Sequence, residues 1–347
     1  MREVRRVQKF GKSTLMVSLP AEWVKAVGLR PGDPVSIDVL NDFSIRVTPL
    51  SLGRQSKEFT TSIKVGKEAP EQLLSRVVYA LYLLGADRIE VLCDENVMPE
   101  NLLRSLRNIA RTLIGVEITE YSPSRIVLQV LVDSTKYSAI AVISRMLELV
   151  KSMFEYIETY VASGAAHLLY EVQELEVEVD RLNALIVRQL IESMKLKGVS
   201  RQSGLSDALV TEYRSIAKSL EEVADALSEI AAILQERGGM LLEKMRREVN
   251  VLGECIDMAV LILERIGKTL AHEDIAVANE LLDLVAEYRS HFKKYADLMY
   301  RSLGLDEAYV SVKDVLERFA VVGKSLESIA ESVFDINVWR SPESIKL

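Results

Sequence analysis

Cysteine is almost missing from this chain of 347 residues, which has two, Cys93 and Cys255, 162 positions apart. That spacing excludes a disulfide framework and any Cys-x-x-Cys metal or redox site. Histidine occurs three times and aromatic residues make up 6%, against many Leu, Val, Ile, Ala, Glu and Arg. Such a composition forms helices and excludes an all-β chain. Long apolar runs are missing too. The longest stretch free of Asp, Glu, Lys and Arg, Thr159 to Tyr170, has 12 residues, short of the roughly 20 that cross a bilayer. Met1 to Arg6 has no apolar segment of the signal-peptide kind. A cytoplasmic protein without membrane insertion is the expectation. No histidine or cysteine accompanies the chain's paired carboxylates as a base or nucleophile, so no enzyme is expected.

What is present is charge, unevenly placed. The net charge is -8, yet residues 1–50 carry 8 basic against 5 acidic side chains, and residues 136–347 carry 25 against 35. A basic arm on an acidic body suggests that one end meets phosphate and the other does not. At about 150 residues per domain the length predicts two or three domains. Pattern changes along the chain place boundaries at 1–50, 51–135, 136–242 and 243–347, in a multidomain, mainly α chain.

In the first segment Val4 to Phe10, Leu15 to Ser18, Val35 to Leu40 and Phe43 to Thr48 read as short strands. Asn41-Asp42 signals a hairpin turn. Pro20 opens a helical stretch over 21–27, and Gly28 closes it. Four short strands bury too little for an independent monomer, so self-association is expected. The run Gly11-Lys12-Ser13-Thr14-Leu15-Met16-Val17-Ser18-Leu19-Pro20-Ala21-Glu22-Trp23-Val24, with Gly28-Leu29-Arg30-Pro31-Gly32-Asp33 after it, resembles the SpoVT-AbrB (MazE-like) swapped-hairpin domain. That resemblance implies an interleaved homodimer that lays basic residues on DNA. Arg2, Arg5, Arg6, Lys9 and Lys12 are the candidates, since guanidinium and ammonium groups neutralise phosphates. Basic residues on a strand edge also block aggregation, which is the other reading of the same charges.

Residues 57–132 read as strand, helix, strand, helix and hairpin, an α+β layer with no chemistry-bearing motif. A rigid connector or extra dimer surface is its expected role. From Lys136 the spacing becomes helical, and a shift of 106 residues lays one half on the other: Ile143, Met146 and Val150 fall on Val249, Leu252 and Ile256, and Lys218-Ser219-Leu220-Glu221 falls on Lys324-Ser325-Leu326-Glu327. Six helices follow, over 138–163, 167–197, 207–237, 240–268, 273–303 and 308–338, as tandem three-helix bundles. Gly238-Gly239 and Gly304 read as the breaks between them.

Glu176 and Asp180, Glu221 and Asp225, and Glu327 and Glu331 are i, i+4 carboxylate pairs, each on one face of its helix. Such pairs repel unless a cation lies between them, and oxygen-only sets suit magnesium, calcium, iron or manganese. An ordinary solvated helix face is the alternative. The duplicated halves, with Ser219-Leu220-Glu221-Glu222-Val223-Ala224-Asp225, Ser325-Leu326-Glu327-Ser328-Ile329-Ala330-Glu331 and Glu176-Val177-Glu178-Val179-Asp180, resemble the PhoU family of phosphate-uptake regulators. By that resemblance the six carboxylates would hold surface metal, iron, magnesium or another divalent cation. The shift places Leu282 and Ala286 where the first half has Glu176 and Asp180, so a complete first cluster with a partial or absent second is expected. The combined expectation is a homodimeric, phosphate-responsive DNA-binding regulator. Its alternative is an adaptor that docks on a phosphate transporter ATPase or a kinase, with the N-terminal domain as dimeriser.

Overall fold

The computed structural model describes residues 3–39, 43–50, 58–132, 138–195, 207–247, 249–272, 274–302 and 307–341. They fall into two units, one up to Glu58 and one from Phe59 onward.

In the first unit β1 (Gln8–Phe10) pairs antiparallel with β2 (Thr14–Met16). Gly11 turns the chain between them at φ +65, a conformation that costs glycine little. Helix α1 (Ala21–Val27) follows Pro20 and ends at Gly28. Then β3 (Val35–Val39) pairs antiparallel with β4 (Ile45–Pro49). These strands are shorter than the sequence pattern suggests, because residues 3–7 make no ladder bonds. The turn assigned to Asn41-Asp42 lies outside the described residues. No apolar side chain of the two hairpins is fully buried except Pro49, and Leu15, Ile37 and Ile45 are 71%, 63% and 65% exposed.

The second unit begins with the α+β layer: β5 (Thr60–Val65), α2 (Glu71–Leu83), β6 (Arg88–Cys93), α3 (Glu100–Thr112), β7 (Val116–Ser122) and β8 (Arg125–Val130). The strand order is β5-β6-β8-β7, parallel between β5 and β6 and antiparallel elsewhere. The period-2 pattern sends Ile89, Val91, Ile126 and Leu128 to one face, where they pack with Leu74, Val78 and Tyr82 of α2 and Leu102 and Leu106 of α3. The other face carries a cross-strand network. Glu120 accepts from Arg88 and Arg125, both at 2.6 Å, and Glu90 accepts from Arg125 at 3.1 Å. Arg88, Arg125, Glu90 and Glu120 thus satisfy one another on that face.

The helical body is α4 (Ala139–Ser163), α5 (His167–Lys195), α6 (Val210–Arg247), α7 (Val249–Ala271), α8 (Ile275–Ser302) and α9 (Glu307–Arg340). Ser138 caps α4 by accepting from the Ala141 amide at 3.1 Å, and Asp274 caps α8 by accepting from Ala276 and Val277. The 3-4 apolar stripes of all six helices meet in one continuous core, so the two repeats are not separate cores. Helices α6 and α9 cross-link antiparallel: Arg340 donates to the Tyr213 hydroxyl at 2.6 Å, Arg237 to that of Ser311 at 2.8 Å, and Ser325 to Glu222 at 3.1 Å.

One sequence expectation is corrected here. Gly238-Gly239 does not end a helix; α6 runs through it to Arg247, and the next helix begins at Val249 rather than 240. Gly238 is there for clearance. A Cβ on it would lie 2.2 Å from the hydroxyl oxygen of Tyr160, whose ring is buried between α4 and α6. The Gly304 break lies outside the described residues.

Candidate functional site

Helix α5 has two working faces. Val172, Val179, Ile186 and Leu190 enter the helical core, while Ala184 belongs to the core of the α+β layer. Arg188, 2% exposed, fixes this second contact. Its guanidinium donates to the carbonyls of Tyr82 at 3.1 Å and Ala86 at 2.6 Å, to Asp87 at 2.9 Å and to Glu192 at 2.7 Å, and lies 5.2 Å from the centre of the Tyr82 ring. The α+β layer is therefore docked on α5 by a desolvated charge that finds partners on both sides.

Two turns before Arg188, the same helix carries Asp180, with Glu176 one turn further back. The structure brings their carboxylates together with Asp225 of α6, one oxygen from each lying within 4.8 Å of the others. Burial, then Asp180, Asp225 and Glu221, pushes the Glu176 carboxyl up to about 7. Burial, then Glu221 and Asp225, pushes Asp180 up to about 6. Asp225 is raised for the same reasons, burial first and Glu221 next. Glu221, whose side chain is 16% exposed, ion-pairs with Lys218 one turn away on α6. Leu220 and Val223 carry the apolar stripe into the core, and Glu221 and Asp225 lie partly sheltered at its rim.

Tyr79 of α2 feels the same acids. Partial burial raises the Tyr79 phenol above its usual range, with Asp180 and Glu221 as the next contributors. Lys218 belongs to the site through its ion pair with Glu221, and Tyr79 lies near enough to feel two of its acids, neither of which the carboxylate spacing alone reveals. Both could be found only through a tertiary contact, because nothing near Tyr79 in the chain marks it.

The second half lacks this arrangement among the described residues. Glu327 ion-pairs with Arg289 of α8, Glu331 is exposed and joins no carboxylate cluster, and Leu282 and Ala286 replace the α5 acids. The six carboxylates therefore do not form one set. The donor chemistry of the first three fits a hard cation, since each offers an oxygen and their mutual repulsion is otherwise relieved only by protons or Lys218.

At the other end of the chain, Arg5, Arg6, Lys9 and Lys12 are all exposed. Arg5 pairs with Glu3, and Lys9 stands opposite Leu15 in the β1–β2 hairpin whose turn holds Lys12. Arg2 lies outside the described residues. Among the described residues no helix is long and apolar enough to cross a membrane.

Two family models match the chain. The PhoU domain model covers residues 143–234, which is α4, α5 and most of α6. The model described as antidote-toxin recognition MazE, bacterial antitoxin, covers residues 8–55. The second three-helix half follows from the internal repeat rather than from a model match. No curated protein and no solved structure matches the chain.

Proposed function

We propose that this chain, in which a MazE-type strand domain precedes a PhoU domain, is a non-catalytic cytoplasmic regulator of phosphate homeostasis that binds DNA as a homodimer. The observation that carries this reading is the state of the first unit. Its hairpins display Leu15, Ile37 and Ile45 to solvent next to Arg6, Lys9 and Lys12. Two isolated hairpins with that much exposed apolar surface are stable only when another copy covers it. Dimerisation then gathers two sets of cations on one surface, which suits a phosphate backbone.

The PhoU-type body supplies the input. Glu176, Asp180 and Asp225 would hold a divalent cation, with Glu221 adjacent, and a bound cation supplies charge neutralisation there. Tyr79 places the α+β layer at the edge of that site, so the layer is positioned to register its charge. Catalysis is not called for, because no histidine or cysteine accompanies the carboxylates as base or nucleophile.

Binding of the full chain to duplex DNA should weaken with salt and collapse in an Arg5→Ala, Arg6→Ala, Lys9→Ala variant. Fluorescence anisotropy with the promoter regions of phosphate-uptake genes measures it. Absence of any salt-dependent binding sinks the DNA reading and leaves the adaptor that docks on a transporter ATPase or a signalling kinase. Elemental analysis of purified protein against Glu176→Gln, Asp225→Asn tests the cation; equal metal content removes it.

A further inference from the structure

We infer that the outward face of α3 is a second contact surface for the phosphate backbone of duplex DNA, an inference that rests on the DNA-binding reading above. Helix α3 buries Leu102, Ser105, Leu106 and Ala110 and leaves Arg104, Arg107 and Arg111 exposed. Their i, i+3, i+7 spacing puts three guanidinium groups on one side of the helix, spread over about 10 Å at 1.5 Å per residue.

Only one of the three has a carboxylate to meet. Arg104 pairs with Glu100 at 3.1 Å, and no acidic residue follows Glu100 in the helix. Arg107 and Arg111 form no ion pair among the described residues. The contrast with the opposite face of the layer is direct, because Arg88 and Arg125 there are held by Glu90 and Glu120. In a chain of net charge -8, Arg107 and Arg111, unneutralised one turn apart on one helix, are a local excess that repels itself. A polyanion removes that cost.

The rest of the surface narrows the partner. Protein interfaces are centred on apolar or aromatic anchors, and none of the exposed large apolar residues belongs to α3. A helix that lies on an anionic membrane inserts its apolar face, but the apolar face of α3 is already spent in the core of the α+β layer. Asn101 and Asn108, both exposed, instead offer neutral donors beside the arginines, the mixture that contacts phosphate and sugar oxygens.

The test uses the full chain and a mixed-sequence duplex of about 30 base pairs, with affinity measured by anisotropy from about 50 to 200 mM salt. An Arg104→Gln, Arg107→Gln, Arg111→Gln variant should lower the slope of log K against log salt by about 3 and weaken binding about tenfold, at unchanged melting temperature. Charge reversal by Arg107→Glu, Arg111→Glu should weaken it further. Unchanged slope and affinity in both α3 variants, while Arg5→Ala, Arg6→Ala, Lys9→Ala reduces both, overturns the α3 surface and leaves the DNA reading intact. If the parent chain binds no duplex, the two fall together.

Discussion

The Arg188 guanidinium, 2% exposed, is tolerable because its two terminal nitrogens meet four acceptors, although its Nε meets none. Arg188→Met would strand the carbonyls of Tyr82 and Ala86 and leave Asp87 without its cation. The expected cost is about 3 kcal/mol, read from denaturant unfolding. Arg188→Lys should recover little, since a point charge cannot reach four acceptors on three sides. Proteolysis at the joint between the α+β layer and α5 should rise in both variants, and an unchanged cleavage pattern would show that Arg188 is not the fastener. Gly238 makes a second case. Alanine favours a helix over glycine by about 1 kcal/mol, but here its Cβ would lie 2.2 Å from the Tyr160 hydroxyl and 3.5 Å from the ring carbon bearing it. Gly238→Ala should therefore destabilise the native chain and stabilise a Tyr160→Phe background. A double-mutant cycle that shows no coupling contradicts the clearance argument.

At the level of helices, the repeat was legible because a core stripe must recur every three or four residues whatever the fold around it, and Ile143 and Val249 obey that rule alike. The same stripe does not distinguish a glycine that ends a helix from one that clears a tyrosine, which is why Gly238 reads as a break in the sequence and lies inside α6 in the fold. Neither could it show that α5 serves two cores, because Ala184 and Arg188 meet partners about 100 positions earlier in the chain. Pseudosymmetry exposes one further imbalance. Lys151 of α4 pairs with Glu264 of α7 at 3.1 Å. Adding the 106-residue shift to Lys151 and subtracting it from Glu264 carries that pair onto Asp257 and Glu158, two like charges. Burial, then Asp257, accordingly holds the Glu158 carboxyl above its ordinary value. Asp257→Lys should restore the symmetric ion pair and stabilise the chain by up to about 1 kcal/mol at low salt, an effect that salt screens. Thermal melts at two ionic strengths check it. A destabilised variant would mean that the two positions are not equivalent in packing.

Taken across the molecule, the charge distribution has two local concentrations: exposed cations on β1, its turn and α3, and partly sheltered carboxylates of α5 and α6. The second group ties stability to pH. Glu176 and Asp180 hold their protons up to about 7 and about 6, whereas carboxylates of an unfolded chain titrate near ~4. The folded state therefore binds more protons than the unfolded one between those values. The stability gained by keeping both groups neutral is whole below about pH 4 and is lost as pH rises through about 6 to 7. Metal-free protein should melt lower at pH 8 than at pH 5.5 on this account, and Glu176→Gln, Asp180→Asn should flatten the difference by raising the melting temperature at pH 8. A divalent cation should act in the opposite sense. It competes with protons for the same oxygens, so its stabilisation should be large at pH 8, small at pH 5.5 and absent from the double variant. Differential scanning fluorimetry over that grid of pH and cation gives the answer. Equal cation effects at both pH values, or in parent and variant alike, would remove the carboxylates as the cation site and return them to an ordinary helix face.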